Sequence, residues 1–599
     1  MRRVTLFVFS LCLCLTGGAR SVSMLKAESV ANDFFGINPS TKGGDVLRLI
    51  WTGDPKTKSG EEVDNPPFYI YGKDGGGFVI VAGDDCLRPI LGYSFESNFV
   101  LRDMPDNIIW WFSSLTEMVN QVRKEGHPQS NEVSSEWRSV SAKGSSGVEL
   151  HTARWNQSHP YNMFTPMLRS NGKEHCNTGC TNTATAIVMR YHKYPEAGKG
   201  TLPDYTYSKG GTIRTQPGHE LGHKYDWDIM PLSNLNSSTP LNQAMQVAQL
   251  MYDCGVMNKC KWNPNNADTD PQNIPNALIT YMGYDKGIRY LEREGFDTGK
   301  WEEMIREELD NGRPVLYGGG RTDGNGHEWV IDGYNDSGYF MMNWGWGGSS
   351  NGFYLISPLN EAGMAFTERH DMIIGIKPNV GGEPYGNGVP CLTGSSTSNW
   401  RFNLNRSFTT IFNIRNQGVL SNRINYRVAL IDKDGNLKHF LSNSEVIEIE
   451  GFQIVTLEST CIMESMPNIN DLIVLFYEVN GVWRPMEYTD MNVIKMKGTS
   501  AIEECTTVSY SKKTHILTIN TEKDNAIQIY YTDSGGNSFI RMSQQNSGTN
   551  SINTATVPTN VGNGYSPYDF TVHIFNLAES KEIRLKLKTK DDNSVEIIY

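Results

Sequence analysis

Hydrophobic and polar positions change their spacing several times along this chain, and each change marks a different kind of element. From Pro66 to Asp85, PPFYIYGKDGGGFVIVAGDD sets two apolar strand-like runs around a glycine-rich turn. MPDNIIWWFSSLTEMVNQVRK then carries apolar residues at helical spacing, so a small α+β unit is expected here, with Trp110 and Trp111 in its core. The next stretch, Gly126 to Glu149, is rich in Ser and Gly and poor in large apolar groups, which predicts an exposed linker open to proteolysis.

Between about His151 and Pro378 the pattern is mixed. Helical spacing recurs at Asn182 to His192, Leu241 to Cys254 and Trp301 to Asn311, and strand-like runs at Pro314 to Leu316, Trp329 to Asp332 and Tyr339 to Asn343. GGEPYGNGVP then reads as a Gly/Pro linker. Short alternating runs follow, among them NYRVALI, DLIVLFYEV before the hairpin turn Asn480-Gly481, THILTI, AIQIYY and FTVHIF. Regular short strands predict two β-sandwiches, dividing near Lys497 to Glu504.

Composition narrows the function classes. A chain of 599 residues has room for about four folded units, and 38% hydrophobic with 20% charged residues is an ordinary globular balance. The net charge of −12 leaves no basic excess for a phosphate backbone, so nucleic acid is not expected as a partner. At the start, Arg2 and Arg3 precede an apolar stretch from Val4 to Leu15 and the small residues Gly17, Gly18 and Ala19, the layout of a secretory signal peptide. No later run reaches the roughly 20 apolar residues of a membrane helix, so no transmembrane anchor is expected. Cys12 and Cys14 lie inside the apolar core, before the cleavage region, which argues against a lipid anchor. Eight cysteines remain after the signal, sparse for a disulfide scaffold; the spacing allows a Cys254–Cys260 bridge without deciding it.

The chemistry concentrates in HCNTGCTNTATAIVMRYHKYP, His175 to Pro195. Gly179 precedes Cys180, and small polar residues run into Ile187, Val188 and Met189, which places Cys180 in the first turn of a buried helix. Unpaired N–H groups and the helix dipole favour thiolate there, turning a cysteine into a nucleophile. Downstream, in GNGHEWVIDGYNDSGYFMMNWGWGG, His327 follows a glycine turn and opens an apolar strand, a candidate general base. Asn343 ends the next strand beside Trp344, where an amide and an indole can orient and shield an imidazole. Upstream, Gln157 in RWNQSHPYN is placed to join the Cys180 backbone N–H in an oxyanion hole. The plainer readings are a buried structural Cys180, a zinc site at His175, Cys176 and Cys180 that lacks a fourth ligand nearby, a packing role for His192, and tight turns for the glycine runs.

WNQSHPYN, GCTNTATAIVMRYHKYP, the VIDGY run after His327, NWGWGG and the closing MIIGIKP together resemble the streptopain family of secreted bacterial cysteine peptidases, which have a papain-like fold. FYIYGKDGGGFVIVAGDD, ILGYS and MPDNIIWWF resemble its inhibitory propeptide, so the likeness runs from about Ala27 to Pro378 and leaves out the β-rich tail. It implies Cys180 as nucleophile, His327 as base and then acid, Gln157 in the oxyanion hole, and the Asn343-Trp344 pair behind His327. The orienting bond to His327 is open between the Asn343 side chain, Trp344 and a backbone carbonyl. Family members usually carry a small residue where Glu328 stands. In papain-like sites that position borders the pocket for the substrate side chain two residues before the scissile bond, so Glu328 either draws Lys or Arg there or turns to solvent.

The fold class expected is therefore α+β. A signal peptide (1–19), an inhibitory prodomain (20–125) and an activation linker (126–149) precede a papain-like peptidase domain (150–378), and two all-β, immunoglobulin-like sandwiches (388–498 and 499–599) follow it. The function expected is a secreted cysteine endopeptidase made as a zymogen, extracellular, at the cell surface or periplasmic. Its partners would be protein or peptide substrates and its own prodomain, with no metal or organic cofactor; the oligomeric state is left open. The rival readings are a Cys-His acyl transferase and a catalytically retired scaffold serving as an adhesin.

Overall fold

A computed structural model describes most of the chain from residue 21 to residue 496. Outside the described residues lie 1–20, 38–45, 54–64, 141–146, 168–173, 321–325, 357–368, 382–389, 398–406 and a few shorter stretches, and beyond 505 only the strand backbones are described. The signal peptide and Cys505 therefore fall outside the described residues. The chain divides into two compact units, the first holding the segments up to 389 and the second most of the tail.

The first unit opens with α1 (Met24–Phe35), capped by the Ser23 hydroxyl on Lys26 N–H and closed by Gly36 in the left-handed region. Four strands follow, β1 (Leu47–Trp51), β2 (Phe68–Lys73), β3 (Phe78–Ala82) and β4 (Ile90–Ser94), then the long helix α2 (Asp106–Glu125). The stretch expected to be a bare linker carries α3 (Asn131–Arg138) and β5 (Gly147–Glu149). Its few apolar groups are enough to dock it: the Trp137 indole donates to the Leu87 carbonyl at 2.8 Å, and Val148 pairs with Tyr334. Residues 141–146 between them lie outside the described residues.

The peptidase part begins with α4 (Cys180–His192), β6 (Tyr205–Lys209) and β7 (Thr212–Gln216), then α5 (Leu241–Met257), β8 (Lys261–Trp262), β9 (Ala267–Asp268) and α6 (Asn273–Met282). It continues through β10 (Arg289–Glu292), α7 (Thr298–Asp310), β11 (Val315–Gly320), β12 (Gly326–Asn335), β13 (Phe340–Asn343), β14 (Gly352–Tyr354) and β15 (Arg369–Ile374). Prodomain and peptidase strands form one sheet in the order β1-β2-β3-β4-β14-β13-β12-β11-β15-β10, with β5 on β12. Alternation sorts the side chains: Trp329, Ile331 and Met372 join a core shared with α2 and α7, while Leu316, Val330 and Ile373 pack with α4, α5 and α6.

In the tail, strands between Pro390 and Lys495 form a three-stranded and a six-stranded sheet with a core that includes Phe412, Val428, Leu430 and Leu475. Asn480 and Gly481, both at positive φ, make the expected hairpin turn. Strands beyond 505 form two further sheets, of three and five strands. No helix among the described residues is long and apolar enough to cross a membrane.

One buried polar cluster fixes the loop before α5. Asp253, on α5, is fully buried and accepts from His219 Nε2 (2.7 Å), His223 Nε2 (2.8 Å), the Tyr225 hydroxyl (2.6 Å) and the Gln249 amide (2.9 Å). Burial alone would raise its pKa, but the donated bonds hold it below the ordinary 3.8. His223 is held above 6.5 by its bond to Asp253, against desolvation. The carboxylate's contribution is lost as pH falls through its lowered value, and the imidazolium's as pH rises through its raised one, so the cluster stabilises most between about pH 4 and 6.5. Asp253→Asn is expected to cost about 2 kcal/mol within that window, less at alkaline pH, read from thermal melts at both; a deficit that ignores pH would contradict this.

Candidate active site

Cys180 is the first residue of α4, and the turn before it depends on glycine. Gly179 has φ 89° and ψ 145°, and a Cβ there would sit 3.0 Å from the Ala267 methyl and 3.2 Å from its carbonyl oxygen. Hydrogen bonds on both sides hold the turn. Thr178 N–H donates to the Gln157 carbonyl at 3.0 Å, the Asn182 amide to the Thr178 carbonyl at 2.9 Å, and the Thr178 and Thr183 hydroxyls pair at 2.7 Å. Gln157, half-buried, is thus tied to the turn that presents the sulfur.

Of the seven described cysteines, none of them in a disulfide, Cys180 alone is not buried. Burial pushes Cys260 up to about 12 and Cys461 up to about 11, which keeps those thiols inert. Cys254 and Cys260, where a bridge was conceivable, are buried free thiols, and Cys254 points at the Met189 sulfur. The residues of the zinc reading face different partners: His175 Nδ1 lies against the Thr165 carbonyl, and the Cys176 thiol donates to Asn263 O at 3.2 Å. His192 is half-buried at the end of α4, and desolvation lowers its pKa to about 4, consistent with a packing role.

His327 opens β12 opposite Gly319 of β11, which in turn pairs with His370 of β15. A Cβ on Gly319 would lie 2.1 Å from the Trp110 ring of α2, so the prodomain helix covers the sheet face to which this row belongs. Trp110 also meets Trp329 at a tilt (5.8 Å between ring centroids) and His370 edge-on (5.3 Å). Glu328 belongs to the opposite face with Val330; it is 2% exposed and does not turn to solvent. The Asn343 amide donates to Thr152 Oγ1 and the Ala153 carbonyl, each at 2.9 Å, and its oxygen accepts from Gly345 N–H at 3.2 Å. Trp344 is fully buried, donating to the Ser350 carbonyl at 3.0 Å and packing on Trp329 at 5.1 Å.

Asn107 is a site residue the sequence did not single out. It is buried near the start of α2, where its amide donates to the carbonyls of Glu328 (3.3 Å) and Trp344 (2.9 Å), and its oxygen accepts from Ile108 N–H. In the sequence it reads only as part of a helix start. One prodomain amide therefore binds both strands that carry the site.

Residues 155–354 match the Peptidase C10 family and residues 19–119 the Spi protease inhibitor family. Streptopain of Streptococcus pyogenes serotype M28 is 31% identical over 345 residues, covering 54% of this chain and 84% of that protein. The chain belongs to the streptopain family of cysteine peptidases. The thiol protease/hemagglutinin PrtT of Porphyromonas gingivalis is 29% identical over 400 residues, 63% of this chain and 44% of that one. Among solved structures, prointerpain A of Prevotella intermedia is 29% identical with a TM-score of 0.45, covering 57% of this chain and all of the other. An inhibitor-type prodomain and a cysteine peptidase therefore share one chain.

Asn107→Ala removes two hydrogen bonds between prodomain and site, worth about 2 kcal/mol together, which is roughly a 30-fold shift toward the undocked state. The full-length variant is expected to self-process correspondingly faster, followed by the appearance of mature peptidase on gels. An unchanged rate would contradict the role given to this amide.

Proposed function

We propose that the chain is an exported endopeptidase zymogen in which Cys180 and His327 form the catalytic pair. The observation that carries this reading is the half-exposed thiol at the head of α4, clamped through Thr178 to the Gln157 loop while every other described thiol is buried. Negative charge on the sulfur, or on a carbonyl oxygen it attacks, meets the positive end of the helix, and the Cys180 N–H and the Gln157 amide supply the oxyanion donors. Cys180 attacks the peptide carbonyl, His327 protonates the leaving amine, and the imidazole then activates water to release the acyl group. In this reading the acceptor for His327 N–H is the Trp344 carbonyl, since the Asn343 amide nitrogen is engaged by Thr152 and Ala153 and its oxygen by Gly345 N–H; Asn107 donates to that carbonyl while the prodomain is docked.

Residues 20–125 then act as an intramolecular inhibitor, and cleavage within 126–149, between α3 and β5, releases the peptidase. Export follows from Arg2, Arg3 and the apolar run behind them. The tail reads as two immunoglobulin-like sandwiches.

Purified Cys180→Ala zymogen, free of helper protease, is expected to fold but neither process itself nor cleave casein. His327→Ala should lose a comparable factor, and the double variant no more than either, because the two act as a unit. Residual self-processing by Cys180→Ala would overturn Cys180 as the nucleophile, and a wild-type protein that neither processes itself nor cleaves casein would favour a scaffold whose tail does the binding. Amide formation with an added amine in place of hydrolysis would favour the acyl transferase.

A further inference from the structure

On the sheet face of Val330, which packs toward α4, two carboxyl groups meet across a glycine. Gly318 of β11 pairs with Glu328 of β12 on one side and with Asp371 of β15 on the other. A Cβ built on Gly318 would lie 2.1 Å from Glu328 Oε1 and 2.6 Å from Asp371 Oδ1, so only glycine leaves room for both acids. Glu328 is 2% and Asp371 8% exposed; the two carboxyls hydrogen-bond each other, and Glu328 Oε2 finds no donor among the described residues. Burial first, then the nearby Asp371, drives the Glu328 carboxyl well above its ordinary range. The strand that carries it, β12, packs against α4, whose first residue is Cys180. Two buried acids sharing a site, with one oxygen unbonded, are costly to keep in a core. Beside a nucleophile, they are matched to a cation.

We propose that Glu328 and Asp371 form the floor of a substrate pocket next to Cys180 that selects a Lys or Arg side chain close to the scissile bond. An entering guanidinium or ammonium supplies the donors that Glu328 Oε2 lacks, and the planar fork of Arg can engage both acids at once. An aliphatic side chain offers them nothing and leaves the acids to each other. Asp371 had no signal in the sequence, because it reaches Glu328 only through the pairing of β15 with β11. The inference rests on Cys180 being the nucleophile.

The test is cleavage of a positional peptide library by self-processed full-length protein and its Glu328→Gln and Asp371→Asn variants, which keep side-chain size and hydrogen bonding. The wild type should prefer Lys or Arg over Leu at one position within three residues of the scissile bond by about tenfold or more, and each variant should cut that ratio by about tenfold. Two variants on different strands keep the test usable if one of them fails to fold. Hydrolysis with an apolar preference, or with a ratio unchanged in the variants, overturns the acid pocket and leaves the nucleophile in place. No hydrolysis by the wild type overturns both.

Discussion

Gly92 opposite Tyr354, and Tyr93 opposite Phe353, are the pairs through which the prodomain sheet continues into the peptidase sheet. The approach is close: a Cβ on Gly92 would lie 2.7 Å from the Tyr354 ring, and one on Gly352 2.4 Å from the Tyr93 carbonyl oxygen. Backbone pairing satisfies the edge of β14 and lays α2 across the sheet, with Trp110 against Gly319 and Asn107 on the carbonyls of Glu328 and Trp344. Further bonds cross the same seam, from the Tyr339 hydroxyl to the Ile90 carbonyl and from the Asn335 amide to the Tyr93 hydroxyl. Latency in this account is a property of sheet continuity, and the inhibitor needs no plug in front of the sulfur, since Cys180 stays half-exposed.

The two halves of the site are built by different physics. The half that carries Cys180 is rigid and local: a positive-φ glycine, paired threonine hydroxyls and a helix whose apolar residues are buried to 1% or less at Ile187, Val188 and Met189. The half that carries His327 sits at the start of β12, where neighbouring β11 contributes three consecutive glycines, Gly318, Gly319 and Gly320. Gly319 admits Trp110 on one face and Gly318 the Glu328–Asp371 pair on the other. That half is therefore the one the prodomain can hold.

Local signals explain what the sequence made legible. Small polar residues running into ATAIVM specify α4 and Cys180 within it, and β12, β13 and the Asn480-Gly481 hairpin announce themselves by alternation and turn chemistry. What stayed hidden is non-local. Nothing near Ile90 says that its strand pairs with one some 260 residues later. Asn107 looks like an ordinary helix-start residue, Asp371 is an isolated acid between His370 and Met372, and His219 and His223 meet Asp253 only after α5 folds over their loop. In the Gly126 to Glu149 stretch no described residue is buried, as its composition suggests, but composition does not foretell that Trp137 docks a short helix, α3, within it.

The most direct test of this account is the rate at which iodoacetamide alkylates Cys180, read by peptide mass spectrometry, in the intact zymogen, in the processed enzyme and in processed His327→Ala. Because the thiol is already partly accessible, access alone should change the rate little. The account predicts a rise of about tenfold or more on processing, as the freed imidazole draws out the thiolate, and its loss in His327→Ala. Equal rates before and after processing would contradict it.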